Sequence, residues 1–252
     1  MLKVHNLRKS FGGVEAVNID DLSFQLNQLT SIIGPNGAGK TTFFDLISGF
    51  TEEDEGKVFL NEKNITNNQP FRIARQGLIR TFQLTKVFDR MTVLENMMFS
   101  GSNLKNDSLF SSLIQLPTQK KHENLLREKA FKIMQDLNID HMADSYAREL
   151  SGGQKKLLEL GRSIINEPEI LLLDEPLAGV NPKLAEEILS IIQKLSDQGI
   201  SIIMVEHNIE AVMKISKRVI VLAEGSVIAD GNPEEVRKNP KVIEAYLGAG
   251  NE

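Results

Sequence analysis

Cysteine and tryptophan are absent from the 252 residues. Without cysteine there is no disulfide framework, thiolate zinc site, iron–sulfur cluster or cysteine nucleophile, and a reducing compartment suits the chain. Only four histidines remain for metal binding or acid–base work. No apolar run approaches the roughly 20 residues of a membrane helix, and the start Met1-Leu2-Lys3-Val4-His5 lacks the apolar stretch of a signal peptide. Work at a membrane is therefore expected to be done from its surface. Excess positive charge is lacking as well: 29 Lys and Arg stand against 34 Asp and Glu, a net charge of −5. No general cationic field is available to hold nucleic acid, and none is expected as a partner.

What is present is the make-up of an ordinary globular protein, with 18 Gly, 8 Pro and 41% apolar residues. A chain of this size removes roughly three quarters of its unfolded surface from water on folding, so a core forms without covalent staples. One large domain, or one domain with an insert, is expected.

Short continuous apolar runs suited to buried strands occur at Ser31-Ile32-Ile33-Gly34, Ile170 to Leu173, Ile200 to Val205 and Val219 to Leu222. Leu22 to Leu26 alternates apolar and polar residues like a half-buried antiparallel strand. Helical stripes fall between them. Leu184, Ile188, Ile191, Ile192 and Leu195 form one, and Leu125, Leu126, Ala130, Ile133, Met134 and Leu137 another; both read as core-packing faces. Strands alternating with helices mark an α/β fold with a mainly parallel sheet. From about Leu84 to Glu149 no convincing buried strand occurs, and this stretch reads as an inserted helical subdomain. No internal repeat is evident.

Gly34-Pro35-Asn36-Gly37-Ala38-Gly39-Lys40-Thr41, followed by Thr42, fits GxxxxGK[ST] between a strand and a helical stretch from Thr41 to Ser48. Its glycines let backbone N–H groups wrap anionic oxygens, and the helix N-terminus adds partial positive charge. Lys40 is expected at the β- and γ-phosphates of a nucleotide, with the Thr41 hydroxyl on Mg²⁺. Ile170 to Leu173 leads into Asp174-Glu175, two carboxylates at the carboxyl edge of a parallel sheet. Asp174 is expected to hold Mg²⁺ through water and Glu175 to act as general base on the attacking water. His207, just beyond the run ending at Val205, reaches the same edge.

Leu150-Ser151-Gly152-Gly153-Gln154 lies between these two centres. Ser151 can cap the following helix, and the two glycines bring N–H groups close to an anion. With the phosphate loop, Gln83, the Leu171-Leu172-Leu173-Asp174-Glu175 run and His207 in this order, the chain resembles the ATP-binding subunits of ABC transporters over about residues 2–248. The resemblance implies a P-loop NTPase core of the RecA-like kind with an N-terminal antiparallel β subdomain and an inserted α-helical subdomain. It implies a single ATP-binding domain over 1–252, with a core at 1–83 and 157–225, a helical subdomain with the signature at 84–156, and a C-terminal extension at 226–252. Gln83, in Arg80-Thr81-Phe82-Gln83, matches the glutamine that contacts Mg²⁺ and the attacking water. Phe11 lies where the family stacks an aromatic on adenine; a strand-edge core residue is the competing reading. His207 matches the histidine near the γ-phosphate.

The resemblance further implies ATP and Mg²⁺ as cofactors and a head-to-tail pair of ATP-binding subunits, homodimeric or with a LivF-like paralogue. Ser151 and Gly153 of one chain would then face the γ-phosphate on Lys40 of the other. Permease subunits in the membrane, with a periplasmic or extracellular solute-binding protein indirectly, complete the set. The location implied is the cytoplasmic face of the cell membrane. Leu84 to Phe99, with Val87 and Phe88, is the candidate docking stretch, with ordinary subdomain core as its alternative. Phe11 to Val17, Ile79 to Gln83, Met91 to Asn96 and Asn239 to Gly248 are similar to branched-chain amino acid importer subunits of the LivG type. Urea importer subunits and the lipopolysaccharide-export ATPase are related alternatives, but typically differ from Arg80-Thr81-Phe82 ahead of the glutamine. Two departures stand out: Asn27-Gln28 replaces the usual Gly-Glu, expected to alter only a turn, and Asn181 stands where many relatives carry Asp. Since Lys40, Glu175 and His207 are all present, an active ATPase is expected.

Overall fold

A computed structural model describes residues 1–81, 87–102 and 117–248. The chain opens with three strands, β1 (Leu2–Phe11), β2 (Val14–Phe24) and β3 (Leu29–Ile33), followed by α1 (Lys40–Ile47). Then come β4 (Glu55–Leu60), β5 (Lys63–Asn64), α2 (Pro70–Arg75) and β6 (Leu78–Arg80). A helical run follows with α3 (Val93–Ser102), α4 (Pro117–Asp136) and α5 (Gly152–Ile164). The remainder alternates: β7 (Ile170–Asp174), α6 (Pro182–Asp197), β8 (Ser201–Val205), α7 (Ile209–Ile215), β9 (Arg218–Ala223), β10 (Ser226–Gly231), α8 (Pro233–Arg237) and α9 (Pro240–Gly248).

Two compact units result, and α6 runs across their division. The first comprises Met1–Arg80, Glu169–Leu177 and Ile192–Glu252. It holds a four-stranded antiparallel sheet in the order β2-β1-β4-β5 and a six-stranded sheet in the order β10-β9-β3-β8-β7-β6. In the first sheet, Leu2, Val4 and Leu7 of β1 face the core beside Phe24 and Phe43. The predicted strand from Leu22 to Leu26 ends at Phe24 as the last part of β2. Leu26 is exposed because the chain turns at Asn27, whose φ of 59° asparagine tolerates better than most residues.

In the larger sheet, β9, β3, β8, β7 and β6 are parallel and only the β10 edge is antiparallel. Every residue of β3, β7 and β8 is buried, which is why these strands read as mainly apolar runs. Register decides function here. Val205 of β8 sits opposite both Ile32 of β3 and Asp174 of β7, so three strands end level at their carboxyl edge. The segments after Ile33, Asp174 and Val205 therefore emerge side by side.

The second unit comprises Thr81–Pro168 and Ala178–Ile191. Here α3 packs against α4 and α5. Asn96 is wholly buried; its side chain accepts from the Phe88 N–H at 2.9 Å and donates to the carbonyls of Phe88 and Thr92, fixing the entry to α3. On α4, Ala130 and Met134 are buried and so is Leu137 just beyond, but Leu125 is exposed, against its expected place in the stripe. It sits near the outer limb of the apolar arc, where burial fades first. In α6, Ile188, Ile191, Ile192 and Leu195 are buried as the stripe predicts, with Leu184 half-buried. Among the described residues no helix is long and apolar enough to cross a membrane.

Candidate nucleotide site

The phosphate loop joins β3 to α1 as its motif requires. Gly39 is the residue before the helix, with φ of 92°, and a Cβ there would lie 2.2 Å from the Ala16 carbonyl oxygen. Gly34 is equally confined, since its Cβ would meet the Leu222 carbonyl oxygen at 2.1 Å. Lys40 is buried, and its ammonium donates to the carbonyls of Gly34 and Pro35, both at 2.8 Å. Burial pulls its pKa below the ordinary lysine value, with the Glu175 charge opposing. Ala38 is buried, whereas Asn36, Gly37 and Thr41 are exposed and Pro35 and Thr42 half-buried. From the other end of the chain, the Tyr246 phenol of α9 is pushed up by burial, opposed by a hydrogen bond from the Gly34 backbone.

Beside the loop, β7 ends in the two carboxylates. Asp174 is 4% exposed, and burial raises its pKa, opposed by the guanidinium of Arg80. Arg80, the last residue of β6, donates through Nη2 to Asp174 at 2.8 Å and through Nη1 to Asp45 of α1 at 2.6 Å and to Ser48 Oγ at 3.1 Å. Its guanidinium also lies 5.6 Å from the ring centres of Phe44 and Phe50. Glu175 adopts the left-handed conformation, φ 49°, and its N–H donates to the Val205 carbonyl at 3.0 Å. Its Oε1 lies 2.8 Å from His207 Nε2. Lysine, acid pair and histidine thus belong to one sheet edge, assembled by register from segments far apart in sequence.

Other expected residues lie elsewhere. Phe11 is 52% exposed at the end of β1 with the Lys9 ammonium 5.3 Å from its ring centre, so the strand-edge core reading is excluded. In the second unit Ser151 caps α5: its hydroxyl accepts from the Gln154 N–H at 3.3 Å, and Gln154 Oε1 accepts from the Ser151 N–H at 2.8 Å. Gly152 opens that helix, and a Cβ on Gly153 would strike Leu184 at 2.1 Å. Asn181 Oδ1 accepts from the Leu184 N–H at 3.0 Å, the N-terminal bond an aspartate would also make. Phe88 and Phe99 of the docking stretch are exposed and stacked edge-on at 4.9 Å, while Val93, Leu94 and Met97 are core, so the stretch divides between its two readings. Gln83, with the rest of residues 82–86, lies outside the described residues.

No group of three His, Cys, Asp or Glu residues able to hold a metal occurs among the described residues. The Thr41 hydroxyl and the Asp174 carboxylate are hard oxygen donors, too few for a closed cage but suited to Mg²⁺ that keeps several waters and shares substrate phosphates. Three residues escaped sequence reasoning as site components: Arg80, Asp45 and Glu206. Arg80 was visible only as part of a longer run. Glu206 carried a signal, namely a carboxylate directly following the apolar run Ile202 to Val205.

The general model for ABC transporters matches residues 17–178. The chain belongs to this family of ATP-binding cassettes. A second model, for the branched-chain amino acid ATP-binding cassette transporter, matches residues 226–251. The probable branched-chain amino acid transport ATP-binding protein LivG of Archaeoglobus fulgidus is 43% identical over 249 residues, covering 99% of this chain and 96% of that one. The high-affinity branched-chain amino acid transport ATP-binding protein BraF of Pseudomonas aeruginosa is 38% identical over 98% of each chain. Among solved structures, the ADP conformation of an ATP-binding cassette of an ABC transporter superimposes with a TM-score of 0.83 at 36% identity, covering 98% of each chain. The cassette is an ATP-binding, ATP-hydrolysing subunit of an ABC transporter, and its P-loop NTPase core is the one expected from its motifs.

Proposed function

We propose that this cassette is the motor subunit of an importer of branched-chain amino acids, working at the cytoplasmic face of the membrane. The observation that supports this best is the near-full-length similarity to LivG and BraF, together with the match of the C-terminal segment 226–251 to the branched-chain model.

In this reading Lys40 exchanges its carbonyl partners for the β- and γ-phosphates of ATP, held by N–H groups of Gly34 to Thr42. Thr41, Asp174 through water, and Gln83 would hold Mg²⁺, which would supply charge neutralisation to the phosphates. Glu175 accepts a proton from water as its oxygen attacks the γ-phosphorus, the bond to ADP breaks, and His207 orients the Glu175 carboxylate while facing the γ-phosphate. Phe11 offers an exposed ring to adenine. Ser151, Gly152, Gly153 and Gln154 close the site of a second subunit, a copy or a paralogue. Dimer closure then moves permease subunits docked near the glutamine loop and Phe88, and a solute-binding protein outside the cell delivers the amino acid.

Uptake of labelled leucine, isoleucine and valine, with urea as control, tests this in cells lacking the cassette and complemented by wild type or Lys40→Ala. Loss of branched-chain uptake restored only by wild type is expected. Unchanged uptake would remove the substrate reading and leave the ATPase.

A further inference from the structure

Glu206 follows β8 directly and precedes His207. It is 4% exposed, although a carboxylate buried without compensation costs several kcal/mol. Its compensation comes from backbone: Oε1 accepts the Leu177 N–H at 2.7 Å and Oε2 accepts the His207 N–H at 3.1 Å. The Asn208 backbone hydrogen-bonds to it as well. One side chain therefore ties the segment leaving β7 to the segment leaving β8.

That tie flanks a strained residue. A left-handed backbone at a residue other than glycine costs about 1–2 kcal/mol and persists only where its surroundings over-determine it. For Glu175 the restraint comes from both sides. Its own N–H is bound by the Val205 carbonyl, and two residues later the Leu177 N–H is bound by Glu206. Both anchors lie at the end of β8, next to His207. The 2.8 Å contact of Glu175 Oε1 with His207 Nε2 is thus closed at its backbone ends by Glu206.

We propose that Glu206 is a positioning residue that holds Glu175 and His207 in register for hydrolysis, acting through backbone N–H groups and touching neither nucleotide nor water. A glutamine offers one acceptor oxygen and turns an N–H₂ group toward one of the two N–H donors, so the carboxylate is specifically required. This rests on the assignment of Glu175 and His207 to hydrolysis.

The test is a double-mutant cycle on ATP hydrolysis by the full chain in its assembled transporter. Glu206→Ala is expected to lower kcat about tenfold or more, since small displacements of reacting groups carry large penalties. The KM for ATP should stay within about threefold, because uniform binding is untouched. In a His207→Ala background the same substitution should change kcat by less than about twofold. Imidazole nitrogen NMR supplies an independent readout: in Glu206→Ala the His207 Nε2 resonance should move while those of His5, His122 and His141 stay in place. An unchanged kcat, an equal loss in both backgrounds or an unmoved His207 resonance overturns the proposal. If Glu206→Ala does not fold, Glu206→Gln serves in the same cycle, with an expected loss of about threefold. Failure of the underlying assignment is distinguishable, since His207→Ala and Glu175→Gln would then leave kcat unchanged by themselves.

Discussion

Arg80 and Asp174 form an ion pair at 2.8 Å in which the two side chains are 6% and 4% exposed. The same guanidinium reaches Asp45 at 2.6 Å, so the strand preceding the glutamine loop, the phosphate-loop helix and the acidic strand are joined through one cation. Removing one partner of a buried pair strands the other charge. Arg80→Met is expected to lower unfolding free energy by about 3–5 kcal/mol. Arg80→Lys should restore only part of it, because a point charge cannot serve both carboxylates as a fork does. Denaturant titration of the three proteins decides the matter, and a loss in Arg80→Met no larger than for an exposed ion pair would refute it.

Lys40 gives a different expectation. Its ammonium is desolvated and, among the described residues, donates to two backbone carbonyls, so removing it should leave the nucleotide-free fold intact. ATP at about 100 times its dissociation constant stabilises the wild type by about 2.7 kcal/mol through mass action. Lys40→Ala should lose most of that gain in a thermal shift assay while keeping its unliganded midpoint.

For Glu175→Gln, ATP binding should persist while turnover drops by about a hundredfold or more. Light scattering with saturating ATP should then show accumulation of the dimer, since ATP at an interface favours association. Turnover within a few fold of wild type would remove Glu175 from the role of base.

The phosphate loop, the acidic pair and the histidine were legible in the sequence because each is local: a glycine spacing, or polar residues ending an apolar run. Their convergence was also legible, since three continuous apolar runs imply parallel strands whose carboxyl ends share an edge. The Arg80 pairing was not, because only register tells which carboxylate a strand-end arginine meets. Glu206 was legible only as a carboxylate at a strand end; its partners are backbone N–H groups, which residue identity does not reveal. Leu125 shows the limit of periodicity, which places a residue on a face but does not bury it.

Burial raises the Glu206 pKa above its ordinary value near 4.5, with the Glu175 charge adding to this and the backbone N–H groups of Leu177, His207 and Asn208 opposing it. The folded state then holds this proton more tightly than the unfolded chain. Stability from this group is present below the unfolded value and is lost as pH rises through the higher folded value. The stability difference between wild type and Glu206→Gln should therefore move against the wild type as pH increases from about 4.5 through that window. Urea titrations of both proteins across that range give the slope, and the opposite sign would contradict the burial of this carboxylate.

The strand order also has a consequence for synthesis. β3 lies between β8 and β9, both made long after it, so the phosphate loop emerges from the ribosome on a strand with neither neighbour in the sheet. At about 5–20 residues per second, on the order of 10–40 s pass before both arrive. During that interval the edge of β3, with its apolar Leu29, Ile32 and Ile33, has neither sheet neighbour to pair with, and Asp174 and Glu175 of the same sheet edge are on segments still being made or not yet docked. Nucleotide therefore meets the complete edge only after β7 and β8 have joined the sheet beside β3.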